Sequence, residues 1–149
     1  MEQQKPLEIL VIDDQEGILY LLKEWLEDAR ANPTLFSGGD EAVDDFLRRL
    51  NTEKPYDAVL TDMLMPYGSG TYVISKIKQL SPRTPVIAVT AFDTHQVNEF
   101  LSNQSEKPDA ILTKPFPRMV ITDLIEQLKS YQLNPGGTFT YKPPQQSQS

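Results

Sequence analysis

The chain has 149 residues, a formal net charge of −7 and no cysteine. That length suits one domain burying roughly 70% of its unfolded surface; the missing cysteines exclude disulfides and thiolate metal sites; and an acidic chain without a basic run lacks the Lys and Arg that sequence-independent nucleic-acid binding draws on. Its apolar stretches fall short of the ~20 residues of a membrane span, and MEQQKPLE at the amino terminus lacks the sections of a signal peptide, so a cytoplasmic protein without membrane contact is expected.

Leu7 to Ile12 is a nearly continuous apolar run, which predicts a strand covered on both faces. Ile18, Leu21, Leu22, Trp25 and Leu26 follow at helical spacing, with Lys23, Glu24, Glu27 and Asp28 elsewhere on the helix. After an Ala-Asn-Pro turn, Thr34 to Ser37 reads as a weaker strand, and Gly38-Gly39-Asp40 leads into a helix carrying Ala42, Val43, Phe46, Leu47 and Leu50, ended by Lys54-Pro55.

Ala58 to Thr61 is the third strand, Val73, Ile74, Ile77 and Leu80 mark the third helix, and Val86 to Val89 is the fourth strand. Val97, Phe100 and Leu101 predict a short fourth helix, Ala110 to Thr113 a fifth strand, and Val120, Ile121, Leu124, Ile125 and Leu128 a closing helix. Five βα units with short links imply a three-layer α/β sandwich around a five-stranded parallel sheet, since parallel neighbours need crossover helices. The expected arrangement is the flavodoxin-like order 2-1-3-4-5.

From Asn134 the composition changes to NPGGTFTYKPPQQSQS, without apolar period. The domain is therefore expected over residues 1–131, with residues 132–149 as a flexible Pro/Gln/Ser-rich tail or linker. A second reading makes Phe139 and Tyr141, flanked by prolines, a short docking motif.

Chemistry-bearing residues follow the apolar runs: Asp13 and Asp14 after the first, Asp62 after the third, Thr90 after the fourth, and Lys114 after the fifth. Open parallel sheets bind ligands beyond the carboxyl ends of their strands, where strand order reverses. Taken singly, each Asp is a turn former or helix cap and Lys114 a solvated lysine; their joint placement at matching strand ends is what those readings leave unexplained. Three carboxylates brought together call for a cation, and an all-oxygen donor set without nearby His or Cys favours Mg²⁺. Lys114 adds a second positive charge.

Asp13-Asp14, the segment Asp62-Met63-Leu64-Met65-Pro66-Tyr67-Gly68-Ser69-Gly70, Thr90-Ala91 and Lys114-Pro115-Phe116 together resemble the motif set of bacterial two-component response-regulator receiver domains, over residues 7 to 131. The resemblance, to a stand-alone chemotaxis-type receiver, implies a signalling switch rather than an enzyme. Asp62 would be the phosphoacceptor, receiving a phosphoryl group from the phosphohistidine of a histidine kinase or phosphotransfer protein. Asp13, Asp14, Asp62 and the backbone carbonyl of Leu64 would hold Mg²⁺, and Lys114 would neutralise phosphoryl charge. Thr90 would sense it, shifting the face of helix four, strand five and helix five toward a downstream protein target or a phosphorylation-dependent homodimer, with no direct contact to nucleic acid. The Lys114-Pro115 bond would be cis.

Three positions depart from or qualify that pattern. Ile111 stands where the family usually has an aromatic residue. Leu64 and Phe92, two residues beyond Asp62 and Thr90, are apolar and are expected to exclude water from an aspartyl phosphate. His95, the one histidine, reads as a solvated side chain. A haloacid-dehalogenase-type phosphatase is disfavoured because Leu64 occupies its second acidic position. The remaining alternative is a receiver-like interaction module that is not phosphorylated; the complete set of Asp13, Asp14, Asp62, Thr90 and Lys114 weighs against it.

Overall fold

A computed structural model describes residues 5–63, 70–134 and 136–143, without the side chain of Thr94. Strands β1 (Glu8–Ile12), β2 (Asn32–Phe36), β3 (Ala58–Asp62), β4 (Val86–Thr90) and β5 (Ala110–Thr113) alternate with helices α1 (Glu16–Asp28), α2 (Gly39–Leu50), α3 (Gly70–Leu80), α4 (Thr94–Leu101) and α5 (Arg118–Leu133). The strands form one parallel sheet ordered β2-β1-β3-β4-β5, the flavodoxin-like arrangement expected. Every residue of β3 and β4 is buried, and so are four of the five in β1.

The two faces of the sheet carry separate cores. Ile9, Val11, Leu60, Ile87 and Val89 belong to one buried cluster with Leu19, Leu22 and Leu26 of α1 and Ile121, Leu124, Ile125 and Leu128 of α5. Leu10, Ile12, Val59, Val86 and Ala88 belong to the other, with α2, α3 and α4. Alternate residues of each central strand thus point to opposite layers, and each fully buried Leu or Ile contributes about 1.5–3 kcal/mol. At the edge of the sheet Lys78 Nζ lies 2.8 Å from Asp109 Oδ2, and that oxygen also accepts the Val86 N–H at 2.8 Å, tying the starts of β4 and β5 to α3.

Several details differ from the periodicity. Leu21, Leu47 and Leu80, expected on apolar faces, are 38%, 40% and 48% exposed, while Leu19 is buried in α1 instead. The strand expected to start at Thr34 starts at Asn32, because the Asn32 N–H bonds the Leu7 carbonyl at 2.8 Å and Pro33 costs nothing on an edge strand. Helix α4, weakly apolar, is set by a capping box: Asp93 Oδ1 accepts the Gln96 N–H at 2.8 Å and Gln96 Oε1 accepts the Asp93 N–H at 2.9 Å. Helix α5 runs to Leu133, past the boundary expected at residue 131, and Phe139 beyond it is only 4% exposed.

Candidate functional site

Parallel pairing in register brings the strand ends together. Ile12 lies opposite Thr61, so Asp13 follows β1 directly beside Asp62, the last residue of β3; Asp62 faces Val89, and Thr90 faces Thr113. Asp13, Asp14 and Asp62 each place a carboxylate oxygen within 4.8 Å of the other two. Asp13 is 1% exposed and Asp62 9%, while Asp14 faces solvent.

Asp13 is held from three sides. Its N–H continues the ladder to the Phe36 carbonyl at 3.2 Å, its Oδ1 accepts the Gln15 N–H at 2.9 Å, and its Oδ2 lies 3.0 Å from Lys114 Nζ. The same ammonium stands 3.8 Å from Asp62 Oδ2. One cation thus serves two buried carboxylates, leaving the three acids with excess negative charge. The stem of Lys114 borders an apolar hollow of about 130 Å³ shared with Ile18, Trp25 and Phe116. Lys114 and Pro115 are joined by a cis peptide bond, as the resemblance implies.

Thr90 is one strand further on and 2% exposed. Its carbonyl accepts the Lys114 N–H at 2.7 Å, and its hydroxyl accepts the Phe92 N–H at 3.1 Å. The backbones that carry Thr90 and Lys114 are therefore directly coupled. Phe92 packs edge-on against Phe100 with centroids 6.4 Å apart. Ile111 pairs with Ala88 and packs on the core of the α4 side, where it is half-buried. His95 is exposed on α4. The Leu64 carbonyl, expected as a metal ligand, lies outside the described residues, as do positions 65–69.

A further residue emerges that the motif reading leaves without a role. Gly70 opens α3 with its N–H on the Met63 carbonyl at 3.0 Å, and a Cβ there would fall 1.9 Å from the Asp62 carbonyl oxygen. Only a residue without Cβ lets α3 begin against the backbone of Asp62. The sequence signal was the glycine eight positions after the aspartate.

The donor set suits a hard divalent cation: three carboxylates, no His or Cys, and one member open to water. Among the described residues no helix is long and apolar enough to cross a membrane.

A family model described as response regulator receiver domain matches residues 9–126. Over 117 residues the chain is 34% identical to the transcriptional regulatory protein SrrA of Staphylococcus aureus, an alignment covering 76% of this chain and 44% of the relative. The chain thus spans less than half the length of that curated relative. Among solved structures, a response regulator receiver domain protein from Clostridium thermocellum superposes with a TM-score of 0.72 at 28% identity, covering 85% of this chain and 97% of the other. A CheY-like receiver domain protein from Methanospirillum hungatei, 24% identical, shares the fold with a TM-score of 0.71 over 88% of this chain and 99% of its own.

Proposed function

This chain belongs to the response regulator receiver domain family, whose members are phosphoacceptor signalling switches, and from that premise we propose that Asp62 is its phosphoacceptor, served by Asp13, Asp14, Thr90 and Lys114. The observation that carries the reading is the Lys114 ammonium placed 3.0 Å from Asp13 and 3.8 Å from Asp62 inside a triad of carboxylates.

An Asp62 carboxylate oxygen attacks the phosphorus of a phosphohistidine on a histidine kinase or phosphotransfer protein. The new P–O bond forms as the P–N bond breaks, and the departing electron pair returns to the imidazole nitrogen. Asp13, Asp14 and Asp62, with the Leu64 carbonyl as the fourth ligand proposed, would hold Mg²⁺, which when bound supplies charge neutralisation for the phosphoryl oxygens. Lys114 stands ready to exchange its contact with Asp62 for one with the incoming group, at little reorganisation cost because Asp13 already orients it.

The added charge, roughly −1.5 to −2, draws the Thr90 hydroxyl away from the Phe92 N–H. Because the Thr90 carbonyl holds Lys114, and Phe92 packs on α4, that movement shifts the face of α4, β5 and α5 between two existing conformers. Phe92 and Leu64 are proposed to limit water at the phosphoryl group. With a net charge of −7, output through a downstream protein or a phosphorylation-dependent homodimer in the cytoplasm is favoured over direct nucleic-acid contact. The receiver unit ends with α5 at Leu133, two residues past the boundary expected at residue 131, and a C-terminal segment follows.

Incubation with Mg²⁺ and acetyl phosphate, followed by intact mass, tests the assignment. The expected result is a labile adduct of about 80 Da, one phosphoryl group, absent in Asp62→Asn and without Mg²⁺. No adduct with acetyl phosphate or with a phosphorylated histidine donor would leave an interaction module that is not phosphorylated.

A further inference from the structure

Beyond α5 the chain reverses at Gly136 and Gly137, the latter in the left-handed region at φ +86°, and residues 136–143 run back antiparallel to the helix. Tyr131 meets Phe139 edge-on, centroids 5.6 Å apart, and Gln127 meets Lys142 one helical turn earlier. The contact at Gln127 is unusually complete. Its Oε1 accepts the Lys142 N–H at 2.9 Å, while Nε2 donates to the Lys142 carbonyl at 2.6 Å and to Asp123 Oδ2 at 2.8 Å. A side-chain amide that engages both polar groups of one peptide residue imitates the neighbouring strand of a sheet.

The returning segment sits by an edge that needs a neighbour. β5 ends the sheet, pairing with β4 alone among the described strands. β5, Phe116 and Val120 line a hollow of about 230 Å³ whose remaining wall is Tyr141 and Pro143. Phe139 is buried in the core cluster of the α1 and α5 side, and Tyr141 packs against the same cluster.

The fit is incomplete in one respect. The Tyr141 hydroxyl is buried beside the Asp123 carboxylate but makes no hydrogen bond of normal geometry with it or with any other described group. A segment of eight residues with one buried aromatic, one side-chain clamp and an unsatisfied hydroxyl is a contact of low local stability.

We propose that the groove between α5 and the open edge of β5 is a docking surface for an extended peptide carrying aromatic residues two positions apart, and that Gly136–Pro143 is its resident occupant in cis. The strap masks the β5 edge by tethering: a peptide held through a short linker competes at an effective concentration on the order of millimolar. The groove is the α5 and β5 side of the face assigned above to output, so the proposal deepens that reading, while docking of the strap itself does not require a phosphoryl group on Asp62.

The test uses the full chain, wild type and with Phe139→Ser plus Tyr141→Ser, which empties the groove and leaves its walls in place. The probe is a fluorescein-labelled peptide of residues 136–143, followed by anisotropy, with a scrambled peptide as control. The emptied chain is expected to bind the probe at least about tenfold more tightly than wild type, to lose that binding on adding Gln127→Ala, and to show faster hydrogen exchange over residues 110–116 with β1 and β3 unchanged. Equal binding to both chains, or none to an emptied chain that keeps its circular dichroism spectrum, overturns the proposal. If the double variant does not fold, Gln127→Ala alone decides: faster exchange over residues 138–143 supports the strap, and unchanged exchange there overturns it.

Discussion

Gly70 and Asp62 are in backbone contact: a Cβ at position 70 would lie 1.9 Å from the Asp62 carbonyl oxygen and 2.6 Å from the Met63 Cα. Neither atom belongs to a flexible side chain, so Gly70→Ala must push α3 away from the end of β3. Overpacking of this kind costs about 1–3 kcal/mol, and the displacement falls on the proposed phosphoacceptor. The variant is expected to unfold at lower urea concentration and to acquire the aspartyl adduct at least about tenfold more slowly, since misplacement of about 1 Å is enough for such losses. Wild-type rates from a folded Gly70→Ala protein would show that the site does not depend on this packing.

Lys114 is the cation that Asp13 and Asp62 share, and it competes with any metal for them. Lys114→Met keeps most of the apolar stem but leaves buried Asp13 without its ion pair, a loss of about 3–5 kcal/mol when one partner of a buried pair is removed. A divalent cation should restore part of that stability, because the site is now one charge more negative. Thermal unfolding with and without MgCl₂ is expected to show a larger Mg²⁺-induced rise in Tm for the variant than for wild type. Phosphorylation by acetyl phosphate should fall by about 10²–10³ from the lost phosphoryl neutralisation. An equal Mg²⁺ response in both chains would argue against a metal at these carboxylates.

The site was more legible than its surroundings because its signal is local. Asp13, Asp62, Thr90 and Lys114 each follow an apolar run, buried in β1, β3 and β4 and half-buried in β5, and parallel pairing in register aligns the ends of those runs. Gly70 required knowledge of where α3 starts relative to Asp62, which only the packed backbone supplies. Leu21, Leu47 and Leu80 fit helical periodicity yet sit at the margins, since the width of a buried stripe is set by the neighbouring layer rather than by the helix itself. Phe139 leaves the weakest trace in the sequence. Its segment has the composition of a tail, and its burial comes from complementarity to Tyr131 and Gln127 on another element, which leaves no period in the sequence.

At the opposite end of the sheet, Asp57 and Glu8 form a reciprocal pair: Asp57 Oδ2 accepts the Glu8 N–H, and the Glu8 carbonyl accepts the Asp57 N–H, both at 2.7 Å. Burial raises the Asp57 carboxyl above the ordinary 3.8 despite that bond. Burial also acts on Glu8, but its hydrogen bonds to Asn32 and Arg49 and the Arg49 charge outweigh it and hold that carboxyl low. A raised acid is more easily ionised unfolded than folded, so Asp57 reduces stability above its folded pKa, and the penalty fades as pH falls from that value to 3.8. Glu8 has the opposite sign, stabilising at neutral pH and losing that contribution as pH falls through its lowered value. Asp57→Asn keeps an acceptor for the Glu8 N–H and removes the charge. Urea midpoints are expected to be higher than wild type at pH 7 and to converge with it in acid. A variant less stable than wild type at pH 7 would show that the Asp57 charge contributes to the fold.

The Tyr141 hydroxyl offers a sharper reading of the C-terminal segment. Burial first, and then the neighbouring Asp123 carboxylate, push it up to about 12. The neutral phenol is favoured when docked, so its contribution to docking is full below the ordinary value of 10 and is lost as pH rises through about 12. Tyr141→Phe removes an oxygen that has no partner in normal geometry and keeps the ring that packs against the core. Removing an unsatisfied buried hydroxyl is neutral or stabilising. Hydrogen exchange over residues 138–143 is therefore expected to be as slow as wild type or slower at pH 7. In an alkaline titration of phenolate absorbance, the difference between wild type and Tyr141→Phe should isolate one tyrosine titrating near 12, and adding Gln127→Ala to both chains should bring that transition back toward 10 as the segment is released. Faster exchange in Tyr141→Phe would mean that the hydroxyl helps to hold the segment through Asp123, and a difference transition already at 10 with Gln127 intact would mean that Tyr141 is solvated and the segment undocked.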